Sequence, residues 1–189
     1  CYDIKNNNTR LIAVGSGTFP ITYSDDNGLT WNGVEHNNFV FCTYVLFTGS
    51  RWIAVGYGNN TIAYSDDNGE NWNSVEDIFF SLGSRHISMN QTRIIAVGAG
   101  INTIIYSDDN GENWSSSSNS NEVFVNSSVD GSGVWKIVWT GLRWVACGYG
   151  PNPIAYSNDN GVTWIPSSNS NEIFVKDGEV NNLLVGIGW

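Results

Sequence analysis

One eight-residue segment, Ser24-Asp25-Asp26-Asn27-Gly28-Leu29-Thr30-Trp31, occurs four times along the chain, and its copies run Ser65 to Trp72, Ser107 to Trp114 and Ser157 to Trp164. A second block precedes each one: Arg10 to Gly15, Arg51 to Gly56, Arg93 to Gly98 and Arg143 to Gly148. Arg and Ser are 14 positions apart in all four copies, whereas successive Ser residues are 41, 42 and 50 apart. A fixed spacing inside a variable period marks a repeated supersecondary unit, and periods of this length belong to solenoids, arrays or propellers.

Each unit reads as short strands. Arg51-Trp52-Ile53-Ala54-Val55 is a continuous apolar run closed by Gly56, which suits a strand buried on both faces. Ile62 and Tyr64 alternate onto one face, as do Ile21/Tyr23, Ile104/Tyr106 and Ile154/Tyr156. Asp-Asn-Gly supplies a turn, because Asn and Asp tolerate the left-handed region and Gly carries no Cβ. The Trp that follows begins another strand. Before each Arg lies a further run: Val45-Leu46-Phe47, Ile87-Ser88-Met89, Ile137-Val138-Trp139 and the polar Ile4-Lys5-Asn6. Four strands per repeat without helical periodicity match a β-propeller of four-stranded blades.

Ser-x-Asp-x-Gly-x-x-Trp resembles the Asp-box, or BNR repeat, of sialidases, sortilin-type receptors and photosystem-assembly factors. The resemblance covers all four units and implies an all-β propeller. It implies a structural role for Ser24, Asp26, Gly28 and Trp31, Ser65, Asp67, Gly69 and Trp72, Ser107, Asp109, Gly111 and Trp114, and Ser157, Asp159, Gly161 and Trp164. In that role the Asp caps the amides of its own turn and the Trp packs beneath, away from the axis. The Asn-rich repeats also resemble Asp-box arrays of large DNA viruses of protists and of environmental bacteria. That likeness implies a virion-surface or extracellular setting.

The expected organisation is a single propeller domain over 1–189, with units of about 1–39, 40–80, 81–125 and 126–175 and a partial fifth at 176–189. Glu172-Ile173-Phe174-Val175 copies Glu122-Val123-Phe124-Val125, and Leu183 to Trp189 reads either as a first or as a second strand. The chain is therefore expected to be either four blades plus a closing strand or part of a longer propeller, and the second is favoured because Asp-box propellers usually carry six or more blades.

Charge narrows the partners. Eighteen acidic residues against eight basic give a net charge of −10, which disfavours phosphate backbones and anionic membranes. No run approaches the roughly 18 apolar residues of a spanning helix, so no membrane insertion is expected. Cys1, Cys42 and Cys147 are too few for a disulfide framework, and Cys147 reads as a core residue. His36 and His86 lie 50 apart, no metal set is visible, and no cofactor is expected. The boxes resemble the start of a calcium loop but lack its distal Glu. A sialidase needs three converging arginines, whereas Arg10, Arg51, Arg93 and Arg143 share one repeat position and read as structural. Glu35, Glu76, Glu122 and Glu172 also recur in register and read as solvated. The expectation is therefore a protein without catalytic residues.

Function should sit where the copies differ. Seven residues before each Arg stand Asp3, Tyr44, His86 and Lys136, and one residue earlier Tyr2, Thr43, Arg85 and Trp135. These are dissimilar, mostly large polar side chains at the start of the strand that lines a propeller channel. Tyr44, Arg85, His86, Trp135 and Lys136 are accordingly the candidate ligand-binding residues. A second candidate is the insertion Asn126 to Gly133, composed like a surface loop. Asn-x-Ser/Thr sequons occur at Asn7, Asn59, Asn90, Asn113 and Asn126. The reading is a recognition or scaffold propeller binding glycan or protein, glycans slightly favoured. The alternatives are a glycoside hydrolase with its acids in further blades, and a subunit of a larger assembly.

Overall fold

A computed structural model of the protein describes residues 1–35, 39–124 and 131–173. His36, Asn126 and the tail at 176–189 lie outside the described residues, as does most of the insertion. Among the described residues the chain is all-β apart from two helical turns, and it forms two compact units, Cys1–Ile78 and Phe79–Trp189, each with two four-stranded sheets. In the first unit one sheet contains β1 (Asp3–Asn6), β2 (Leu11–Val14), β3 (Ile21–Ser24) and β4 (Asn32–Val34). The other contains β5 (Phe39–Phe47), β6 (Trp52–Gly58), β7 (Ile62–Ser65) and β8 (Asn73–Ser74). The second unit holds β9 (Ser84–Met89), β10 (Ile94–Gly98), β11 (Ile104–Ser107) and β12 (Ser115–Ser116), then β13 (Val134–Trp139), β14 (Trp144–Gly148), β15 (Ile154–Ser157) and β16 (Ile165–Pro166).

Every sheet is an antiparallel meander with strands adjacent in chain order, the blade expected from the repeat. The fourth strand is the weakest, with only two residues in three of the blades. Pro166 is tolerated there because an edge strand has one side without a ladder to complete. The Ser/Asn-rich stretches also carry single helical turns, α1 (Ser120–Val123) and α2 (Ser170–Ile173). At α1 the loop packs inward: Asn119 Oδ1 accepts from Trp164 N at 2.8 Å, and Asn119 Nδ2 donates to the Trp164 carbonyl at 3.0 Å.

The core of each unit lies between its own two sheets. Ile12, Val14 and Ile21 of one blade pack with Val45, Trp52 and Ala63 of the next. Ile95, Val97 and Ile104 pack likewise with Ile137, Trp144 and Ala155. Trp52 and Trp144 are wholly buried, and each supplies a large apolar area at the joint. Cys42 and Cys147 are buried small residues, and burial pushes the Cys42 thiol up.

A polar latch joins the same two blades. Asn68 has φ 61° and Asn160 φ 59°, so each sits left-handed in its box. Asn68 Oδ1 accepts from Asn7 Nδ2 at 2.7 Å and from Trp52 Nε1 at 3.3 Å, while its carbonyl accepts from Arg10 Nη1 at 3.0 Å. In the second unit Asn160 Oδ1 takes Asn90 Nδ2 at 2.7 Å and Trp144 Nε1 at 2.9 Å, and its carbonyl takes Arg93 Nη1 at 2.8 Å. The same latch is built in each unit, and the turns before the arginines alternate along the chain. The sequence carries the alternation, since Asn7-Asn8-Thr9-Arg10 and Asn90-Gln91-Thr92-Arg93 face Thr48-Gly49-Ser50-Arg51 and Thr140-Gly141-Leu142-Arg143. Both versions close the turn onto the Arg N–H, through Asn7 Oδ1 at 2.9 Å or Thr48 Oγ1 at 3.1 Å. Only Asn keeps an amide donor for the neighbouring box.

Gly28 and Gly69 occupy one repeat position at φ 90° and 88°, but an added Cβ would lie 3.6 Å from Leu11 Cδ1 in the first case and 2.5 Å from the buried Ile12 Cδ1 in the second. Each Gly→Ala change carries a left-handed backbone penalty of about 1 kcal/mol. Gly69→Ala must also displace Ile12 and is expected to lose about 1 kcal/mol more than Gly28→Ala, read from urea midpoints. Equal losses would mean that the Asn68-Gly69 turn does not dock against β2 as described.

Candidate functional site

The boxes are built alike. Ser24 Oγ accepts from Gly28 N and donates to Asp26 Oδ1, both at 2.8 Å. Asp26 Oδ1 caps Thr30 N at 2.9 Å, and Oδ2 takes the Thr30 hydroxyl at 2.5 Å. The carboxylates of Asp67 and Asp109 take the backbone and side-chain amides of Asn71 and Asn113, and Asp159 takes Thr163. These carboxylates are consumed in holding turns. The anchoring Trp varies, with Trp164 1% exposed, Trp114 8% and Trp31 39%. Trp31, Trp72 and Trp114 donate to the carbonyl of their own box Gly at 3.1–3.2 Å. In the fourth box Ser117 Oγ donates to Gly161 O instead, and Trp164 Nε1 reaches Ser117 Oγ at 3.4 Å.

The repeated arginines are structural in the same sense. Arg10, Arg51 and Arg93 grip Asp25, Asp66 and Asp108 through Nε and Nη2 at 2.6–2.9 Å. Each guanidinium also stacks on a strand tyrosine, Tyr23 at 4.0 Å, Tyr64 at 4.3 Å and Tyr106 at 3.9 Å. This partner of the first box Asp was missed from sequence, although the invariant separation of Arg and box was its signal. Glu35, Glu76, Glu122 and Glu172 are all exposed.

The divergent positions have a common backbone cause. Tyr44 pairs with Val55, His86 with Val97 and Lys136 with Cys147, the same register in three blades, and Asp3 pairs with Val14 in the first. In β5, β9 and β13 the preceding residue is skipped by the ladder, which places Thr43, Arg85 and Trp135 on β-bulges. A bulge re-aims its extra side chain and is found where a sheet presents function. Gly56, Gly98 and Gly148 stand across from the bulges because a Cβ would lie 2.3–2.4 Å from the carbonyls of Phe41, Gly83 and Gly133. The Val-Gly and Cys-Gly pairs that end the second strands therefore mark these bulges, a signal that spacing alone did not decode.

Within the second unit the bulges bring two candidates together. The Arg85 guanidinium lies 4.1 Å over the Trp135 ring, and its Nη1 donates to the Ser132 carbonyl. Trp135 Nε1 donates to Gly131 O at 3.0 Å. Both side chains are half-buried, Lys136 is too, and His86 is buried. In the first unit Tyr44 is tied to its neighbour, its hydroxyl accepting from Lys5 Nζ at 3.1 Å and its ring lying 4.5 Å beneath that ammonium. Burial would lower the Lys5 pKa, but hydrogen bonds to Tyr44 and Asp3 outweigh it and the net shift is upward. Asp3 Oδ2 also accepts from Val45 N at 3.2 Å. Among the described residues no three His, Cys, Asp or Glu side chains gather as metal ligands would. Three sequons are engaged, since Asn7, Asn90 and Asn113 donate their Nδ2 at 2.7 Å to Asn68, Asn160 and Asp109.

Two of the four boxes match the BNR/Asp-box repeat. The matched residues are 63–74 and 105–116. No curated protein matches the sequence. Among solved structures, YCF48 bound to D1 peptide aligns with a TM-score of 0.60 at 18% identity, over 90% of this chain and 54% of that one. YCF48 from Cyanidioschyzon merolae aligns at 0.61 and 15% identity, over 87% and 55%. The GH74 xyloglucanase from Xanthomonas campestris aligns at 0.61 and 16%, over 85% of this chain and 28% of its own. The chain thus spans about half the length of the YCF48 structures. These likenesses support the propeller fold.

The box carboxylates give the fold a definite acid response. The Thr30 side chain, then its backbone N–H and Ser24, hold Asp26 down at about 2 from its ordinary 3.8. At Asp67, Asp109 and Asp159 burial would raise the value, but hydrogen bonds from Asn71, Asn113, Thr163 and the box serines outweigh it and the net shift is downward. A depressed folded pKa stabilises fully above the unfolded value and is lost as pH falls through the folded one. Near-UV dichroism and urea midpoints should hold down to about pH 4 and decline towards about pH 2, with a shallower decline in Asp26→Asn. A midpoint independent of pH over that window would show that the caps contribute no stability.

Proposed function

We propose that the chain is a non-catalytic recognition module that engages a protein segment through its bulged first strands. The observation that carries this reading is the Arg85–Trp135 stack. Two residues unlike their repeat equivalents are turned by bulges and held together half-exposed. A guanidinium spread on an indole offers a flat cationic face with hydrogen-bond donors at its edge, which suits a peptide backbone or an acidic side chain. That a structural neighbour was solved with a bound peptide supports a polypeptide ligand on this fold. Trp135 also supports a second reading, a glycan ligand stacked on the indole. On either reading the chain acts as part of a larger assembly, and a virion-surface or extracellular setting is the location we propose.

Peptide and glycan arrays probed with the purified chain test this. Selective binding is expected, reduced roughly tenfold or more in Arg85→Ala and Trp135→Ala, with Trp135→Phe retaining most of it. Binding unchanged in both alanine variants, with their melting intact, would overturn the assignment. Release of reducing ends from xyloglucan or another polysaccharide would favour the hydrolase alternative over the module.

A further inference from the structure

Among the described residues Trp139 is the one tryptophan whose indole N–H meets no acceptor. Trp31, Trp72 and Trp114 donate to their own box Gly, Trp135 donates to Gly131, and Trp52 and Trp144 donate to Asn68 and Asn160. Trp164 reaches Ser117. An indole N–H withdrawn from water finds such a partner because leaving the bond unmade costs more than making it gains. Trp139 is half-buried, its ring 5.3 Å from that of Trp144, and no described residue accepts from its Nε1.

That tryptophan borders a cavity of about 440 Å³ between the third and fourth blades. Gln91, Thr92, Leu142 and Asn160 are also in its walls, and no residue of the lining is charged. The Gln91 side chain bonds nothing among the described residues. Asn160 Oδ1 is taken by Asn90 and Trp144, but its Nδ2 hydrogens are not engaged. Thr92 Oγ1 donates to Asn90 at 3.3 Å and can still accept.

The first unit supplies an internal comparison, because Asn8, Phe47, Ser50 and Asp66 hold there the places of Gln91, Trp139, Leu142 and Asn158. Phe47 lies 4.7 Å from Trp52, much as Trp139 lies beside Trp144, so a phenyl ring suffices for the joint. Asp66 carries a carboxylate gripped by Arg51. The second unit has a longer amide, an added indole N–H and one charge fewer over an unchanged latch. Packing requires none of these differences.

The geometry points to a binding site for a neutral hexopyranose of glucose configuration in this cavity. Its hydroxyls both donate and accept, so they match the Gln91 amide and Asn160 Nδ2, and one oxygen accepts from Trp139 Nε1. Equatorial hydroxyls leave C–H groups on the ring faces, and one such face lies against the indole and Leu142. The uncharged lining offers an acidic sugar no counter-charge, in a chain of net charge −10. The volume suits one ring with ordered water. None of the bulge residues takes part, so the site is tested apart from the proposed function.

In a nitrogen–proton correlation spectrum of the full chain each indole gives its own peak, and the one missing from Trp139→Phe belongs to Trp139. Methyl β-D-glucopyranoside is expected to shift that peak saturably, with a Kd on the order of 1 mM, and to leave the Trp135 peak in place. By calorimetry Trp139→Phe and Gln91→Ala should each weaken binding roughly fivefold, the loss of about one hydrogen bond. Melting should not change, since Phe47 already serves the same joint in the first unit. Arg85→Ala should bind as the unaltered chain does. A Trp139 peak unmoved up to about 20 mM glycoside, or an affinity equal in both variants to that of the unaltered chain, overturns the site. Saturation by N-acetylglycinamide in place of the glycoside overturns the saccharide assignment and gives the cavity to a peptide group.

Discussion

The joint between blades within a unit depends on one asparagine held in the left-handed region. Asn68 and Asn160 each present a side-chain oxygen to two donors, a turn asparagine of the preceding blade and a tryptophan of their own, and a backbone oxygen to an arginine of the preceding blade. That presentation exists only because the box serine and aspartate fix the turn from beneath. A box without its caps would leave the Asn free to rotate, the Trp Nε1 beside it unsatisfied, and the Arg donating to water. Buried polar groups without partners cost more than the bonds gain, so the box acts chiefly by making the joint well defined. The apolar surface of Trp52 or Trp144 then supplies the attraction that closes it.

Much of this was legible in the chain. A fixed spacing of Arg and box, strands with period-two alternation and a turn rich in Asp, Asn and Gly lead directly to antiparallel meanders, since each signal is local. Which carboxylate meets which arginine was not, although Asp25, Asp66 and Asp108 sit in plain view beside Asp26, Asp67 and Asp109. Two adjacent acids look equivalent in sequence and separate only when the turn sends one inward and one to the strand edge. The bulges at Thr43, Arg85 and Trp135 were hidden for a similar reason. A bulge is a property of two strands in register, and the glycine that permits it lies on the partner strand. The helical turn at Ser120–Val123 escaped because four residues are too few to show a period.

The same distinction governs the candidate residues. Positions that differ between copies share one place in the repeat, but their dissimilarity has two uses. Lys5, Asp3 and Tyr44 form a tied cluster between β1 and β5, where ligand contact would cost the joint its hydrogen bonds. Arg85 and Trp135 are held against each other while keeping exposed faces. Variation among repeats therefore marks where symmetry is broken, and only the contacts say whether it is broken for packing or for a partner.

Alternation of the turn before each arginine bears on how such a chain avoids tangling as it forms. Near-identical neighbours invite a box to settle against the wrong edge, and stacked repeats are prone to such misassembly. Here an edge beginning Asn-x-Thr offers a box a side-chain amide, while one beginning Thr-Gly has no such amide to offer. A mistaken encounter through a Thr-Gly edge thus lacks the amide bond that Asn7 and Asn90 make within their units. A mutation that made every turn alike would keep the local geometry of each blade while removing the instruction for which blade comes next.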